Sequence, residues 1–497
     1  MTGFLQKKNK RRRLCVDLFG PRVYNYKNIL CFKVWKRMNN KKFVLSMIMK
    51  FVIVVLEIGF FIMVLFQYYG PKLFSKMDSV GYSVTLILYT IVYIALSNLF
   101  YAFKIMDFSV AETILSQFLA FGIADLLLYG EFCMIRHNYV NIIPGLLTVA
   151  CQLLAAICWA LISKRMTMLF SRPEKTLIIT GAVLTDEFLQ KLEKLKYIFN
   201  VEQIIPYSEL GKDWKKKLDP FEAVIFYETE MENRSELLWY CMQDRKSLYL
   251  TPQLDEITMQ GFGARHLIDT PLMKYEYRSE RFWYNLVKRA ADIVVSLLAL
   301  IIMSPILLIT ALAIKIEDRG PVFFRQKRCT KNGKVFEILK FRSMIVDAEK
   351  GGKSIPCRSG DPRITRVGRI IRKIRVDEFP QIINVLKGDM SLVGPRPERI
   401  EHVEEYTREI PEFVYRLRVK GGLTGYAQIY GKYNTSPYDK LRLDLQYIEK
   451  QSLLLDFKLL LLTVKIMFVP ESTEGFTEEK SAAVSENSKR AEEIEEE

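Results

Sequence analysis

Asp377 and Glu378 stand side by side at the head of VDEFPQIINVLKGDMSLVGPRP, residues 376–397, behind a run of arginines and ahead of a rigid Pro395-Arg396-Pro397. The Asp is ionised at neutral pH unless buried. Basic residues around it suit phosphate oxygens, so the pattern points to phosphoryl chemistry. Adjacent side chains diverge by about 100° in a helix and point oppositely in a strand, so both carboxylates reach one site only at an element boundary. Pro380 supplies such a boundary, because proline is favoured in a first helical turn, whose positive end would then lie near the pair. Two other readings stay open: Asp377 as an ordinary helix N-cap, and the pair as ligands of Mg2+, which takes one or two carboxylates together with substrate phosphates. A carboxylate attacking a diphosphate in any case needs positive charge nearby, since both partners are anions. The stretch 394–397 fixes the backbone on both sides of Arg396 and presents its guanidinium from a stiff support, although a plain surface turn would use the same prolines. GGLTGYAQ at 421–428 is a glycine-rich loop able to approach a ligand. Gly352-Lys353-Ser354 imitates the end of a phosphate-binding P-loop, but Asp347 stands where that motif needs glycine, so ATPase chemistry is not supported.

The elements that must position this chemistry begin with membrane segments. A chain of 497 residues carries two or three structural units. Its net charge of +16 is uneven, with a basic N-terminus and an acidic C-terminus. The basic residues border apolar segments, which favours anionic lipid over nucleic acid. Eight cysteines include no C-x-x-C pair and three histidines are scattered, so neither a disulfide framework nor a zinc or His-rich metal site is implied. Four apolar runs, 44–66, 82–103, 110–133 and 140–162, each approach the ~20 residues that cross a bilayer. Lys41 and Lys42 before the first, and Lys164, Arg165 and Arg172 after the last, put both ends in the cytoplasm. No cleavable signal peptide is expected ahead of the first run.

From 175 to 275 short β-branched strands alternate with helical patterns, the mark of a small α/β domain with a parallel sheet. Its first turn has Gly181 without G-x-G-x-x-G, so a structural or regulatory role is favoured over nucleotide binding. A fifth apolar run, 290–316, is interrupted by Ser304-Pro305 and has basic residues on both flanks. A helix that enters one leaflet, breaks there and returns keeps the remainder of the chain in the cytoplasm; a fifth span kinked by proline is the alternative. Beyond it, FFRQKR and FEILKFRSM flank an Asn332-Gly333 hairpin signal. Ile364, Val367, Ile370, Ile371 and Ile374 recur at helical spacing among arginines, as in a basic amphipathic helix on a membrane surface or a solvated face over a protein core. Residues 471–497 have little to bury and are expected to be disordered.

The motifs KRAADIVVSLLALIIMSP, GPVFFRQKR, FEILKFRSM, DPRITRVGRIIRK, VDEFPQIINVLKGDMSLVGPRPE and GLTGYAQIYGKYN, in this order over 284–468, resemble the monotopic phosphoglycosyl transferases, the bacterial sugar transferases. The likeness is to the large polyprenyl glycosylphosphotransferases that begin capsule or exopolysaccharide synthesis. It implies an enzyme of the bacterial inner membrane, facing the cytoplasm, that moves sugar 1-phosphate from a UDP-sugar to undecaprenyl phosphate. Asp377 would be the nucleophile, releasing UMP and leaving a phosphosugar on its carboxylate. Glu378 would assist with Mg2+, the implied cofactor, or with protons. Lys340, Arg372 and Arg396 match basic positions that hold phosphate or nucleotide, and Ser304-Pro305 matches the re-entrant break. A covalent intermediate implies ping-pong kinetics. Leu308, where some members carry a second proline, departs from the pattern, as does Gly421.

The expected architecture is a membrane α-helical plus α/β protein. It has a basic N-terminus (1–43), a four-helix transmembrane region (44–165), a small Rossmann-like α/β domain (175–275), a re-entrant helix leading into an α/β catalytic domain with amphipathic surface helices (284–470), and an acidic tail (471–497). Expected partners are the UDP-sugar, undecaprenyl phosphate and membrane lipids, with a homodimer as a candidate assembly and no nucleic acid. A catalytically inactive scaffold of a polysaccharide assembly complex is the alternative. A processive glycosyltransferase would want separated Asp motifs, which are not visible. Glucose, galactose and N-acetylated sugars all remain open.

Overall fold

The computed structural model describes residues 26–467 apart from 70–78, 106–107, 171–172, 182–187, 189–191, 194, 212, 230–233, 268–269, 275–281, 347, 349–360 and 432–434, with side chains from 44 onward outside 264–272. Residues 1–25 of the basic N-terminus, the P-loop look-alike and the acidic tail lie outside these residues, whereas 26–43 are helical. The chain divides into two compact units, Met1–Tyr249 and Leu250–Glu497.

The first unit opens with four long helices: α1 (Tyr26–Val64), carried on by a π-helical turn at Leu65–Tyr69, α2 (Ser79–Leu99), α3 (Val110–Arg136) and α4 (Ile143–Phe170). Within them Val44–Tyr69, Val80–Leu99, Val110–Arg136 and Ile143–Leu169 are long and apolar enough to cross a membrane. At most 28% of each is buried inside the protein, so their apolar surface faces outward, as lipid requires. Helix α1 packs on α4, α4 on α3 and α3 on α2. Buried Ala120, Ala124, Ala156 and Ala160 let the helices approach closely. Phe61 stacks on Tyr89 with ring centroids 3.9 Å apart. Ser109 and Glu112 form a capping box that starts α3, and His137 ends it in the left-handed conformation.

A four-stranded sheet comes next, β1 (Glu174–Thr180), β2 (Phe199–Pro206), β3 (Ala223–Tyr227) and β4 (Ser247–Leu250), in the order β2-β1-β3-β4. Strand β1 runs parallel to both neighbours. Leu177, Ile178 and Ile179 are all fully buried, the continuous apolar run of a strand covered on both faces.

The second unit begins with a short helix, Leu254–Met259, and the antiparallel hairpin β5 (Gly263–Leu267) and β6 (Thr270–Lys274). Helix α5 (Phe282–Asp318) is the fifth helix able to cross a membrane and the least covered, 11% buried. It runs through Pro305 as one helix. Pro305 has no N–H to give the Ile301 carbonyl four residues back. The Ser304 hydroxyl takes that acceptor instead, at 2.7 Å. The first turns of α5 are fastened to the rest of the unit. Lys288 Nζ donates to Asp456 Oδ2 (2.7 Å) and to the Val393 carbonyl (3.1 Å), while Arg289 donates to the carbonyls of Val385 and Leu386.

The hairpin β7 (Phe323–Cys329) and β8 (Val335–Phe341) turns at Asn332-Gly333, both with positive φ, as the sequence signal requires. Helix α6 (Arg366–Lys373), α7 (Gln381–Lys387), the parallel pair β9 (Ser391–Val393) and β10 (Gly422–Thr424), α8 (Pro437–Lys450) and α9 (Leu453–Met467) complete the unit. Phe336, Ile338, Val385, Met390, Phe413, Leu441, Tyr447 and Leu459 form its core, joined by Ile257 from the short first helix. The isoleucines of α6 do not share one role: Ile371 is buried with Ile314, Phe341 and Val376, whereas Ile370 is 62% and Ile374 of the following turn 53% exposed.

Candidate active site

Three segments converge on Glu378. Along β8 the side chains alternate, and Lys340 shares the inward parity of Phe336 and Ile338, both buried. A cation on the inner face of a strand needs a counter-charge. Lys340 Nζ lies 2.6 Å from Glu378 Oε1. Arg396 reaches the same oxygen through Nη2 at 2.6 Å and approaches Oε2 through Nη1 at 3.5 Å.

The dyad sits in a single 3-10 turn, Val376–Glu378, entered through Arg375 with φ 54°, and α7 starts only at Gln381. No side chain caps α7, so Asp377 is not an N-cap, and that reading is set aside. Buried Val376, packed with Ile314 of α5, Phe341 of β8 and Ile371 of α6, pins the turn between these elements. The tight turn is what lets neighbouring carboxylates serve one place.

The two acids differ in surroundings. Burial alone would raise Glu378, but the charges of Arg396 and Lys340 outweigh it and hold its carboxyl well below the usual range. Asp377 accepts no hydrogen bond from the described residues. Burial first, and the charge of Glu378 second, push it up to about 6, with Lys340, Arg372 and Arg396 pulling the other way. Of the residues singled out in the sequence, Asp377, Glu378, Lys340 and Arg396 therefore come together, and Arg372 acts on Asp377 through its charge. Ser304 and Pro305 lie within α5, outside this cluster.

The loop that carries Arg396 is held by its carbonyls, since two of its residues are prolines and lack N–H groups. The oxygens of Pro395, Arg396, Pro397 and Glu398 accept in turn from Gly422 N (2.9 Å), Arg416 Nη2 (2.9 Å), Arg328 Nη1 (3.2 Å) and Cys329 N (3.0 Å). Arg416, 4% exposed, also pairs with Asp444 Oδ2 at 2.7 Å and Glu398 Oε1 at 3.6 Å. Arg416, Arg328 and Asp444 carry no motif of their own. Their signal is a charge on the inward face of an element, strand β7 for Arg328, the turn Pro411–Arg418 for Arg416 and α8 for Asp444, which is visible only once that face is known. The glycines at 421–428 serve this same loop. A Cβ on Gly422 would run into Gly394 N, and one on Gly425 into Gly394 O, so these glycines let two backbone segments touch rather than cradle a ligand.

The donor set limits how Mg2+ could be held. One oxygen of Glu378 is taken by two cations, Asp377 is open, and no group of three or more His, Cys, Asp or Glu side chains exists among the described residues. The pair fits a hard cation only in the mode that completes its shell with substrate phosphates and water, through Asp377 and Glu378 Oε2.

Comparison with known proteins bears on the C-terminal part of the chain. The bacterial sugar transferase family pattern matches residues 283–470, from the start of α5 to just past α9. The chain is 44% identical over 185 residues to a UDP-N-acetylgalactosamine-undecaprenyl-phosphate N-acetylgalactosaminephosphotransferase of Aeromonas hydrophila, covering 37% of this chain and 44% of that protein. It is 42% identical over 193 residues to a UDP-glucose:undecaprenyl-phosphate glucose-1-phosphate transferase of Caulobacter vibrioides, 38% of this chain and 72% of the relative. Sugar transferase EpsL of Bacillus subtilis is 39% identical over 189 residues, 38% of this chain and 91% of its own length. This chain belongs to the bacterial sugar transferase family. It spans less than half the length of the longer curated relatives it matches.

Proposed function

We propose that this protein transfers sugar 1-phosphate from a UDP-sugar to undecaprenyl phosphate at the cytoplasmic face of a bacterial inner membrane, the opening membrane step of exopolysaccharide or capsule synthesis. The observation that carries the reading is the asymmetry of the dyad: Glu378 clamped by Lys340 and Arg396, Asp377 beside it with an unengaged carboxylate. An Oδ atom of Asp377 attacks the β-phosphorus of the UDP-sugar, and the bond from that phosphorus to the bridging oxygen breaks. UMP leaves with the electron pair, and the phosphosugar stays on Asp377 as an acyl phosphate. A phosphate oxygen of undecaprenyl phosphate then attacks the same phosphorus and frees the carboxylate, giving a lipid diphosphate sugar. Arg396 and Lys340 keep Glu378 ionised and, with Arg372, offset the negative charge that gathers on the phosphoryl oxygens. Mg2+ held between the dyad and the diphosphate would supply further charge neutralisation.

In the same reading α5 bends at Pro305 and returns to the leaflet it entered. The lost hydrogen bond at Ile301 and the basic residues at both ends, Lys288 and Arg289 before and Lys315 and Arg319 after, support this. The named relatives act on different sugars, glucose and N-acetylgalactosamine, so glucose, galactose and N-acetylated sugars all belong in the donor panel. The test is UMP release from a panel of UDP-sugars with undecaprenyl phosphate and Mg2+. One sugar should release UMP in the wild type and none in Asp377→Asn. No release from any sugar returns the protein to the scaffold reading, and normal turnover by Asp377→Asn overturns the nucleophile.

A further inference from the structure

The four-helix region of the first unit holds charged chemistry that the transfer reaction does not use. Glu57 of α1 is 0% exposed, and neither of its carboxylate oxygens has a hydrogen-bond partner among the described residues. Tyr89 and Tyr93 of α2 and Asp125 of α3 lie within electrostatic reach of it, and Gln152 of α4 approaches its backbone. Gln152 Nε2 donates to Tyr89 Oη at 2.8 Å and reaches the Glu57 carbonyl at 3.5 Å. Tyr93 Oη donates to Gln117 Oε1 at 2.9 Å, and Gln117 Nε2 donates to the Ala102 carbonyl at 3.3 Å.

These bonds engage both amide nitrogens. Asp125 is held by Tyr89 and Gln152, but both oxygens of Glu57, Oδ2 of Asp125 and Oε1 of Gln152 are left, four buried oxygens from three helices with no donor among the described residues. Asp125 lies within electrostatic reach of Glu57. An ionised carboxylate in a membrane interior is expensive unless positive charge accompanies it. A proton joins at most two oxygens. One hard metal ion contacts several oxygens together, and two positive charges balance two carboxylates.

We propose that Glu57, Asp125 and Gln152 form a divalent-cation site inside the membrane bundle, tying α1, α3 and α4 together. Its makeup, two carboxylates and an amide, falls outside the usual clusters of three or more His, Cys, Asp or Glu side chains, of which the described residues hold none. The site stands apart from the dyad in sequence and chemistry and does not depend on the transferase reading.

The experiment uses the full chain carrying Asp377→Asn and Glu378→Gln, so that ions at the dyad are not counted, in phosphatidylcholine nanodiscs that add no anionic lipid. After EDTA and desalting, Ca2+ and Mg2+ are added separately, and bound metal and thermal unfolding are measured. One ion per chain, with an unfolding temperature that climbs with its concentration, is expected. Adding Glu57→Gln should remove both effects. Asp125→Asn should do the same and stands in if Glu57→Gln does not fold. No saturable binding of either ion by the parent overturns the site, as does binding undiminished by both substitutions; carboxyls that simply carry protons would give the first result.

Discussion

Lys340 Nζ and Glu378 Oε1 are 2.6 Å apart, a contact that sets two neighbouring carboxyl groups on different courses. Lys340 has lost solvent on the inner face of β8, and burial lowers its own pKa, with Arg396 adding to the effect and Glu378 opposing it. Glu378 thus serves as a fixed anion for two cations, while Asp377 is left as the group that reacts in the proposed function. Pairs of acids driven apart in this way mark divided catalytic roles.

Turnover that needs ionised Asp377 should fall as pH drops through about 6. Lys340 is one of the charges pulling Asp377 down, so Lys340→Met should move the acid limb to higher pH. Profiles of kcat/KM against pH, read from UMP release, check this. An unmoved limb would assign it to another group.

The dyad should also show opposite signs in stability. Asp377 has a folded pKa of about 6 against an unfolded value near ~3.9, so the fold binds the proton more tightly and loses stability as pH rises from about 4 to about 6. Asp377→Asn should therefore raise stability at pH 7.5, by on the order of 1–3 kcal/mol, while cutting turnover at least about a thousandfold. Glu378 is depressed instead, so its contribution is present above the unfolded value and lost as pH falls toward its folded one. Glu378→Gln should lower stability at pH 7.5. Thermal unfolding of both variants at that pH gives the comparison.

Arg416 touches the loop at the Arg396 carbonyl and is itself buried against Asp444. Burial pushes Asp444 up to about 6 while Arg416 opposes the rise. Arg416→Ala should destabilise by about 3–5 kcal/mol, because it strands a buried carboxylate. It should also lower kcat/KM by about 10–100-fold through a loosened Arg396. Asp444→Asn added to Arg416→Ala should recover part of the stability but little of the activity, a split that a double-mutant cycle would read.

How much of this could be read from the chain depends on what each residue needs. Asp377, Glu378 and Arg396 stood out because an acidic pair and a proline-bracketed arginine are conspicuous without any partner in view. The five apolar helices were equally plain, since lipid demands length and composition alone. Arg416 and Asp444 were hidden in segments rich in charge, and only packing shows them at 4% and 1% exposure. The glycines at 421–428 were legible as special but not for the right reason, because the backbone they approach is Gly394, distant in sequence.

Two glycine substitutions separate close packing from turn strain. Gly422→Ala meets backbone atoms of Gly394 and Thr424, which cannot move aside cheaply, and should cost more than about 2 kcal/mol together with most activity. Gly333→Ala has open space around its Cβ and a φ of 73°, so about 1 kcal/mol and near-normal turnover are expected. Urea or thermal unfolding with UMP release distinguishes the two.

The bend proposed for α5 has a topological readout. Cysteines placed at Trp283 and Arg319 in a background lacking the native thiols should both react with an impermeant reagent from the cytoplasmic side. Labelling of the two from opposite sides would make α5 a true crossing and overturn the bend. Pro305→Ala, which restores the donor for Ile301, should shift the chain toward that crossing state.

The loop at 395–398 is gripped through four successive carbonyls by donors from elsewhere in the unit. Two of its own residues carry no exchangeable amide hydrogen, so hydrogen–deuterium exchange is nearly blind to the segment that presents Arg396. Any tightening there when substrate arrives must be recorded second-hand, as slower exchange at the amides of Gly422 and Cys329, and those two positions are the natural reporters for watching this site at work.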